Sequence, residues 1–135
     1  HKASLVFSHT YDLLNVPRAA IVASGTATLE TAIFKVPQVV VYKGGAVSIA
    51  IARMLVKIKF ISLVNLIMNK KVVEELIQED CNEKMVRETL VPLLSGNERE
   101  LMLKDYEVLA VKMGESGASA KTAALIREDL NLVKT

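Results

Sequence analysis

The residue types that suit ligand chemistry are concentrated in one short stretch, Ala23-Ser24-Gly25-Thr26-Ala27-Thr28-Leu29-Glu30. It begins where an apolar run ends and a helical pattern starts, which is where open α/β sheets bind their ligands. Ser24 is expected to cap the helix, and Gly25 would let a ligand approach the backbone closely. The free N–H groups of a first helical turn, with the positive end of the helix dipole behind them, suit a phosphate or diphosphate. The stretch therefore predicts an anion site at a strand–helix turn.

Glu30 adds a carboxylate to this turn. It lies four residues after Thr26, so the two side chains share one helix face. The other face is expected to point to the core through Leu29, Ala32 and Ile33. A carboxylate only accepts hydrogen bonds, which suits the paired hydroxyls of a ribose. The alternative is an ordinary strand–turn–helix junction with a solvated glutamate, and the residue types alone leave both interpretations open.

Apolar runs alternate with helical patterns through the first half of the chain, and this alternation must position the turn. The runs are rich in Val, Ile and Phe, as buried strands of a parallel sheet are. They are Ser4–Phe7, Ala19–Ala23, Gln38–Tyr42 and Phe60–Val64. The helical patterns are Tyr11–Val16, Thr26–Lys35 and Ala46–Lys57. Such an alternation predicts βαβ units and an α/β fold, a Rossmann-like parallel sheet flanked by helices.

The second half of the chain is predicted to be mainly helical. Its helical patterns are Val72–Glu79, Asn82–Leu94, Glu98–Met113 and Ala118–Leu132. In the first of them an apolar stripe is expected to face inward (Val73, Leu76 and Ile77), with Glu74, Glu75 and Gln78 outward. Asn82 and Asn97 are expected to cap two of these helices. Because no linker divides the chain, we predict a single domain over residues 1–135, with βα units in 1–67 and helices in 68–135. The chain starts without methionine, directly before an apolar run, and we expect it to be part of something longer.

Composition argues against several classes of function. A net charge of +2, with basic residues scattered among acidic ones, does not favour a nucleic-acid partner. No Cys/His set has metal-ligand spacing, and the single cysteine, Cys81, lies in an acidic turn without a histidine partner. No apolar run approaches the roughly 18 residues of a membrane span. The apolar Ala46–Lys57 pattern fits either a helix at a membrane interface or one buried against the sheet.

Three segments, in order, resemble the lipid-A-disaccharide synthase family. They are Ala20–Glu30, Val36–Lys43 and Ser62–Ile67, the last similar to that family's Ser-Leu-Pro-Asn-Leu segment. The similarity continues through Glu74–Gln78 to the last helix and covers nearly the whole chain. One departure is Val64, which stands where the family usually has proline.

This resemblance implies a GT-B type glycosyltransferase, of which the chain would be the C-terminal, donor-binding part. The family transfers a diacylated glucosamine from its UDP donor to diacylglucosamine 1-phosphate (lipid X) in lipid A biosynthesis. The localisation implied is the cytoplasmic face of the bacterial inner membrane, as a peripheral protein, or the cytoplasm, and the family needs no metal or other cofactor. The general base would lie outside this chain, and the chain alone is expected to be inactive.

The resemblance also implies roles for individual residues. Those that would hold the diphosphate are Ser24, Gly25, Thr26 and Ala27. Glu30 would bind the ribose, and Asn65 would lie near the donor sugar and be needed for activity. Tyr42 and Lys43, at the end of a strand, would line the same crevice. Tyr42 fits a core position at a strand end equally well.

The family's C-terminal domain implies a strand order of 3-2-1-4-5-6, with Ser4–Phe7 as strand 3. The later three runs would then form a contiguous parallel sheet with Ala19–Ala23 at its exposed edge. Another UDP-sugar enzyme, the peptidoglycan glucosaminyltransferase or a UDP-GlcNAc 2-epimerase, is the alternative function, against which the Ser62–Leu66 segment argues. A receiver-like interaction module is a third hypothesis, but it requires an acidic cluster at the strand ends, where the sequence has Ser24, Tyr42 and Asn65.

Overall fold

The protein is described by a computed structural model over residues 3–44, 59–114 and 118–132. Its helices in chain order are α1 (Thr10–Leu14), α2 (Ala27–Ile33), α3 (Leu63–Met68), α4 (Glu83–Leu90), α5 (Asn97–Met113) and α6 (Ala118–Leu132). Its strands are β1 (Ala20–Ala23), β2 (Gln38–Tyr42) and β3 (Glu74–Ile77), and short 3-10 helices span Gln78–Asp80 and Val91–Leu94. The predicted helix Ala46–Lys57 lies outside the described residues.

The described strands form one parallel sheet in the order β1-β2-β3. Ala20 pairs with Gln38 at one end of the β1–β2 ladder, and Tyr42 pairs with Ile77 at one end of the β2–β3 ladder. Successive residues Val39 and Val40 of the central strand are both fully buried, so both faces of the sheet are covered. The predicted α/β class, a parallel sheet flanked by helices, is confirmed.

The core fills the space between the sheet and the helices. Its members include Val64 and Met68 of α3, Val73 and Leu76 around β3, and Tyr106 of α5. The core also contains polar groups, which are tied to one another: Gln38 Nε2 donates to Thr28 O at 2.9 Å and to Tyr106 Oη at 3.2 Å. Burial of the Tyr106 phenol raises its pKa above the usual range.

Two predicted elements, one strand and one helix, are wrong. Phe60–Val64 is not a strand, because Ser62 caps α3, its Oγ accepting a hydrogen bond from Asn65 N. Val72–Glu79 is not a helix, because its centre forms β3 and pairs with β2 along its whole length. A short apolar run is ambiguous between the two structures, and here pairing with a buried neighbour strand decides the outcome.

The predicted strand Ser4–Phe7 is also wrong. These residues are irregular, and Leu5 and Phe7 are 83% and 75% exposed. A strand needs a partner to satisfy its backbone groups, and within the described residues β1 pairs with β2 alone. The expectation that Ala19–Ala23 forms the sheet edge is confirmed for this part of the chain, and Ile21 on that edge is 51% exposed.

Helix starts follow the predicted capping at one position and depart from it at another. The side chain of Asn82 caps α4 by accepting a hydrogen bond from Met85 N at 3.0 Å. Asn97 is instead the first residue of α5, and its N-cap is Gly96 with φ of 99°. Glycine takes this left-handed backbone without strain, so the chain turns into α5 without a side-chain cap.

Candidate functional site

Three strand ends meet at the carboxyl edge of the sheet. Ser24 follows β1 and its N–H donates to Val41 O at 3.1 Å, which places it beside the end of β2. Tyr42 ends β2, and its partner Ile77 ends β3. This edge is where parallel sheets of α/β proteins bind ligands. The turn after β1, the predicted anion site, therefore has the location that its chemistry requires.

The turn at residues 24–27 is shaped by its glycine. Gly25 has φ of +155°, and a Cβ atom there would meet no other atom of the described residues within 4 Å. The glycine is therefore needed for its backbone conformation, and the space in front of it is open. Thr28 fixes the turn from inside, since its buried hydroxyl donates to Gly25 O at 2.8 Å.

Ser24 does not cap the helix, so this sequence-based prediction is wrong. The N-cap of α2 is Thr26, which makes no side-chain capping bond. The Ser24 hydroxyl instead donates to the carbonyl of Ile61 at 3.1 Å. This hydrogen bond directs the Ser24 hydroxyl toward the segment before α3 and away from the first turn of α2. Within the described residues, the backbone N–H groups of Gly25, Thr26 and Ala27 consequently make no hydrogen bond. Three exposed donors in succession can take an anion.

Glu30 lies on α2 close to this turn. Its N–H donates to Thr26 O at 3.3 Å, which confirms that the two residues stand one helical turn apart. Glu30 is half-buried, and its carboxylate pairs with no other side chain in the described part of the chain. On the opposite face Ala32 is buried, whereas Ile33 is 55% exposed, so the expected burial of Ile33 is wrong. Thr28 and Thr31 pack inward in its place.

Tyr42 and Lys43 are exposed at the end of β2. The Tyr42 ring folds over the backbone of Gly44, where an added Cβ would come within 2.9 Å of it. At 40% exposure the ring is not a core residue, so a core role for Tyr42 is wrong. Both side chains have the exposure that a crevice-lining residue needs, and their contact with a donor stays a prediction.

Asn65 differs from the other candidates because it is fully buried. Its Oδ1 accepts from Val72 N at 2.7 Å and from Val73 N at 3.0 Å. Its Nδ2 donates to Val73 O at 2.9 Å and to Glu75 Oε1 at 2.8 Å. An amide side chain has two donors and two acceptor positions, so all four are used. In this arrangement Asn65 fastens α3 to β3, and its predicted proximity to the donor sugar stays a prediction.

Two residues that the sequence analysis did not identify also make hydrogen bonds near the carboxyl edge of the sheet. Gln78 follows β3 in a left-handed backbone conformation, φ 57°, and its Nε2 donates to Gly44 O at 2.9 Å. Glu75 on β3 accepts hydrogen bonds from the segment before α3. Both lie within the run that the sequence assigned to a helix, with Glu75 and Gln78 expected to face solvent. Only the correct strand assignment would have identified them.

The described residues carry neither a metal cluster nor a membrane-spanning helix. Over 3–44, 59–114 and 118–132, no three His, Cys, Asp or Glu side chains are grouped so that they could hold a metal ion. In that part of the chain no helix combines the length and the apolar character needed to cross a membrane.

The chain is similar to known proteins over almost its whole length. Residues 1–128 match the family model described as lipid-A-disaccharide synthetase. A lipid-A-disaccharide synthase of Syntrophus aciditrophicus is 39% identical over 96% of this chain, and one of Persephonella marina is 40% identical over 90%. One of Myxococcus xanthus is 34% identical over 92%. The matched region is 33% of the length of each of these relatives, so the chain spans about a third of the curated proteins it matches. On this match the chain belongs to the lipid-A-disaccharide synthetase family.

Proposed function

We propose that this chain forms the donor-binding part of a glycosyltransferase that makes the lipid A disaccharide. The reaction would transfer a diacylated glucosamine from its UDP donor to diacylglucosamine 1-phosphate. The observation that carries the proposal is a family match over residues 1–128 in a chain that presents an open Gly25 turn at the carboxyl edge of its sheet. The peptidoglycan glucosaminyltransferase and the UDP-GlcNAc 2-epimerase lack this support, since the family match is to the synthetase.

The diphosphate would bind to the backbone of the turn. The N–H groups of Gly25, Thr26 and Ala27 make no hydrogen bond within the described residues and would donate to phosphate oxygens. Helix α2 has only seven residues, so these direct hydrogen bonds matter more than its dipole. Lys43, exposed at the end of β2, is the nearby cation that would offset the charge of the departing UDP. Ser24 would act through its backbone and its link to Ile61.

The ribose would be held by Glu30. Its carboxylate is half-buried without a partner among the described residues, and two adjacent hydroxyls would satisfy both of its oxygens. Tyr42 would line the crevice beside the sugar. Asn65 would be needed for activity because it fixes α3 against β3. All four hydrogen-bonding positions of its side chain are used for this contact, so none is left for the sugar. The acceptor and the general base would come from outside this chain, at the cytoplasmic face of the inner membrane, where the protein would be peripheral.

The test is calorimetric titration with UDP and, as a matched control, ADP, using the longest protein in which this chain occurs. We expect UDP to bind and ADP to bind at least tenfold more weakly. Because the diphosphate would be bound by backbone N–H groups and not by a metal ion, the affinity for UDP should not change after treatment with EDTA. Absence of UDP binding would refute the donor site. Equal affinity for the two nucleotides would reduce it to a general diphosphate site.

A further inference from the structure

Glu75 is the most heavily hydrogen-bonded carboxylate in the described part of the chain. Its Oε1 accepts from Ser62 N at 2.9 Å, from Ser62 Oγ at 2.7 Å and from Asn65 Nδ2 at 2.8 Å. Its Oε2 accepts from Ile61 N at 2.9 Å. Both oxygens of the carboxylate are therefore engaged, and the four bonds match the number that a carboxylate typically accepts. All four donors are uncharged, and the described residues place no lysine or arginine in ion-pair contact with it.

The segment that Glu75 holds is the segment that Ser24 touches. The N–H of Ile61 is bound to Glu75, and the carbonyl of Ile61 accepts from Ser24 Oγ at 3.1 Å. Ser62, next in the chain, is bound through both its N–H and its hydroxyl. The position of the Ile61 carbonyl is thus set by Glu75, and the orientation of the Ser24 side chain is set by that carbonyl.

This connection links two strands that do not pair with each other. In the order β1-β2-β3, Ser24 follows β1 and Glu75 lies on β3, with β2 between them. β1 is the edge of the described sheet and has a neighbour on one side only. The link through Ile61 therefore adds a side-chain restraint to the end of β1, at the point where the chain enters the Gly25 turn.

We propose that Glu75 is a positioning residue of the donor site: by fixing Ile61 and Ser62, it holds Ser24 and so orients the N–H groups of Gly25, Thr26 and Ala27. This inference rests on the proposed function, since it assumes that these N–H groups bind the donor diphosphate. Without the carboxylate, the N–H groups of Ile61 and Ser62 lose their acceptors and the segment is free to shift. The turn then samples more orientations, and part of the binding free energy is used to restore the productive one.

The test compares Glu75→Gln with Glu74→Gln. Glu74 is the matched control because it is the neighbouring glutamate on β3, its side chain points to the opposite face, and its carboxylate pairs with Lys71 at 2.6 Å. Glu75→Gln keeps the size of the side chain but presents an NH2 group to at least one N–H donor. We expect Glu75→Gln to raise the Kd for UDP about fivefold or more, and Glu74→Gln to change it less than about twofold.

A double substitution separates positioning from a general loss of stability. If Glu75 acts through Ser24, Glu75→Gln should raise the Kd clearly less in a Ser24→Ala background than in the wild type. A purely structural role predicts a lower melting temperature, with the Kd of the folded protein unchanged. The titrations are made well below the melting temperature of every variant. Should Glu75→Gln fail to fold, Ser62→Ala removes one of the four hydrogen bonds to Glu75, together with the side-chain cap of α3, and should still raise the Kd, by about twofold or more.

The outcomes distinguish this inference from the proposed function. If the wild-type protein binds no UDP, both fail. If the wild type binds UDP and Glu75→Gln, or Ser62→Ala in its place, binds equally well, the positioning role alone is refuted. An equal effect of Glu75→Gln on the Kd in the wild-type and Ser24→Ala backgrounds would also refute it, because the two residues would then act independently.

Discussion

Replacing Glu30 with alanine is the most direct test of the ribose contact. In the described residues the carboxylate of Glu30 has no partner, so its removal breaks no interaction there. The free energy of unfolding should therefore change by no more than about 0.5 kcal/mol, as for other surface substitutions in helices. In the complex the same carboxylate would accept up to two charge-assisted hydrogen bonds, each worth roughly 1.5–3 kcal/mol. Since about 1.4 kcal/mol corresponds to a factor of ten, we expect UDP affinity to fall tenfold or more.

The assay is calorimetric titration of UDP into the wild type and Glu30→Ala, with thermal melts of both. Glu88→Ala is the control, because Glu88 is a helical glutamate on α4 that is exposed and makes only a long contact of 4.0 Å with Lys84. It should leave both the affinity and the melting temperature close to wild type. Equal UDP affinity of Glu30→Ala and the wild type would refute the ribose contact and leave only the backbone of the turn. A large loss of stability in Glu30→Ala would show a structural role instead.

Buried groups and the extent of the chain lead to three further predictions. Asn65→Ala should lower the free energy of unfolding by about 2–5 kcal/mol, because it leaves backbone groups of Val72 and Val73 buried without partners; a urea midpoint equal to wild type would contradict this. Burial raises the pKa of Tyr106, so the folded state keeps its proton while the unfolded state releases it near pH 10. Stability should therefore fall as pH rises above about 10, and Tyr106→Phe should lose less over the same interval in urea titrations; equal losses would show that other groups are responsible. The 135-residue chain alone should transfer no sugar from the UDP donor, because it spans about a third of the length of its relatives and the proposed reaction needs an acceptor site and a general base from outside it; product formation by the purified chain would overturn this.

Local sequence signals were sufficient for the first half of the sheet. The Ala19–Ala23 and Gln38–Tyr42 runs predicted β1 and β2 because each is short, apolar and followed or preceded by a clear breaker such as Pro37. The third strand was missed for a physical reason. Val73, Leu76 and Ile77 have helical spacing, and the pairing of β3 with buried β2, which overrides that spacing, is invisible in the local sequence.

In the candidate site, too, features set by neighbouring residues were predicted correctly and features set by distant residues were not. The residue types from Ser24 to Glu30 located the turn, because a glycine between an apolar strand and a helix indicates a backbone conformation that other residues rarely adopt. The role of Ser24 was assigned wrongly because its partner, Ile61, is 37 residues away in the chain. Glu75 was expected to face solvent on a helix, and its four hydrogen bonds arise from contacts 10–14 residues distant along the chain.

The buried network around Asn65 affects how loss of activity should be interpreted. Asn65 and Ser62 both donate to the same oxygen of Glu75, and Ile61 donates to the other, so loss of the Asn65 amide removes one of the groups that hold the shared carboxylate in place. A variant of Asn65 would therefore disturb the Ile61 carbonyl and, through it, Ser24, without any contact between the amide and a sugar. Inactivity of such a variant does not show that Asn65 touches the substrate. A direct contact predicts a lower kcat at unchanged stability and UDP affinity, whereas action through the network predicts that stability and UDP affinity fall together.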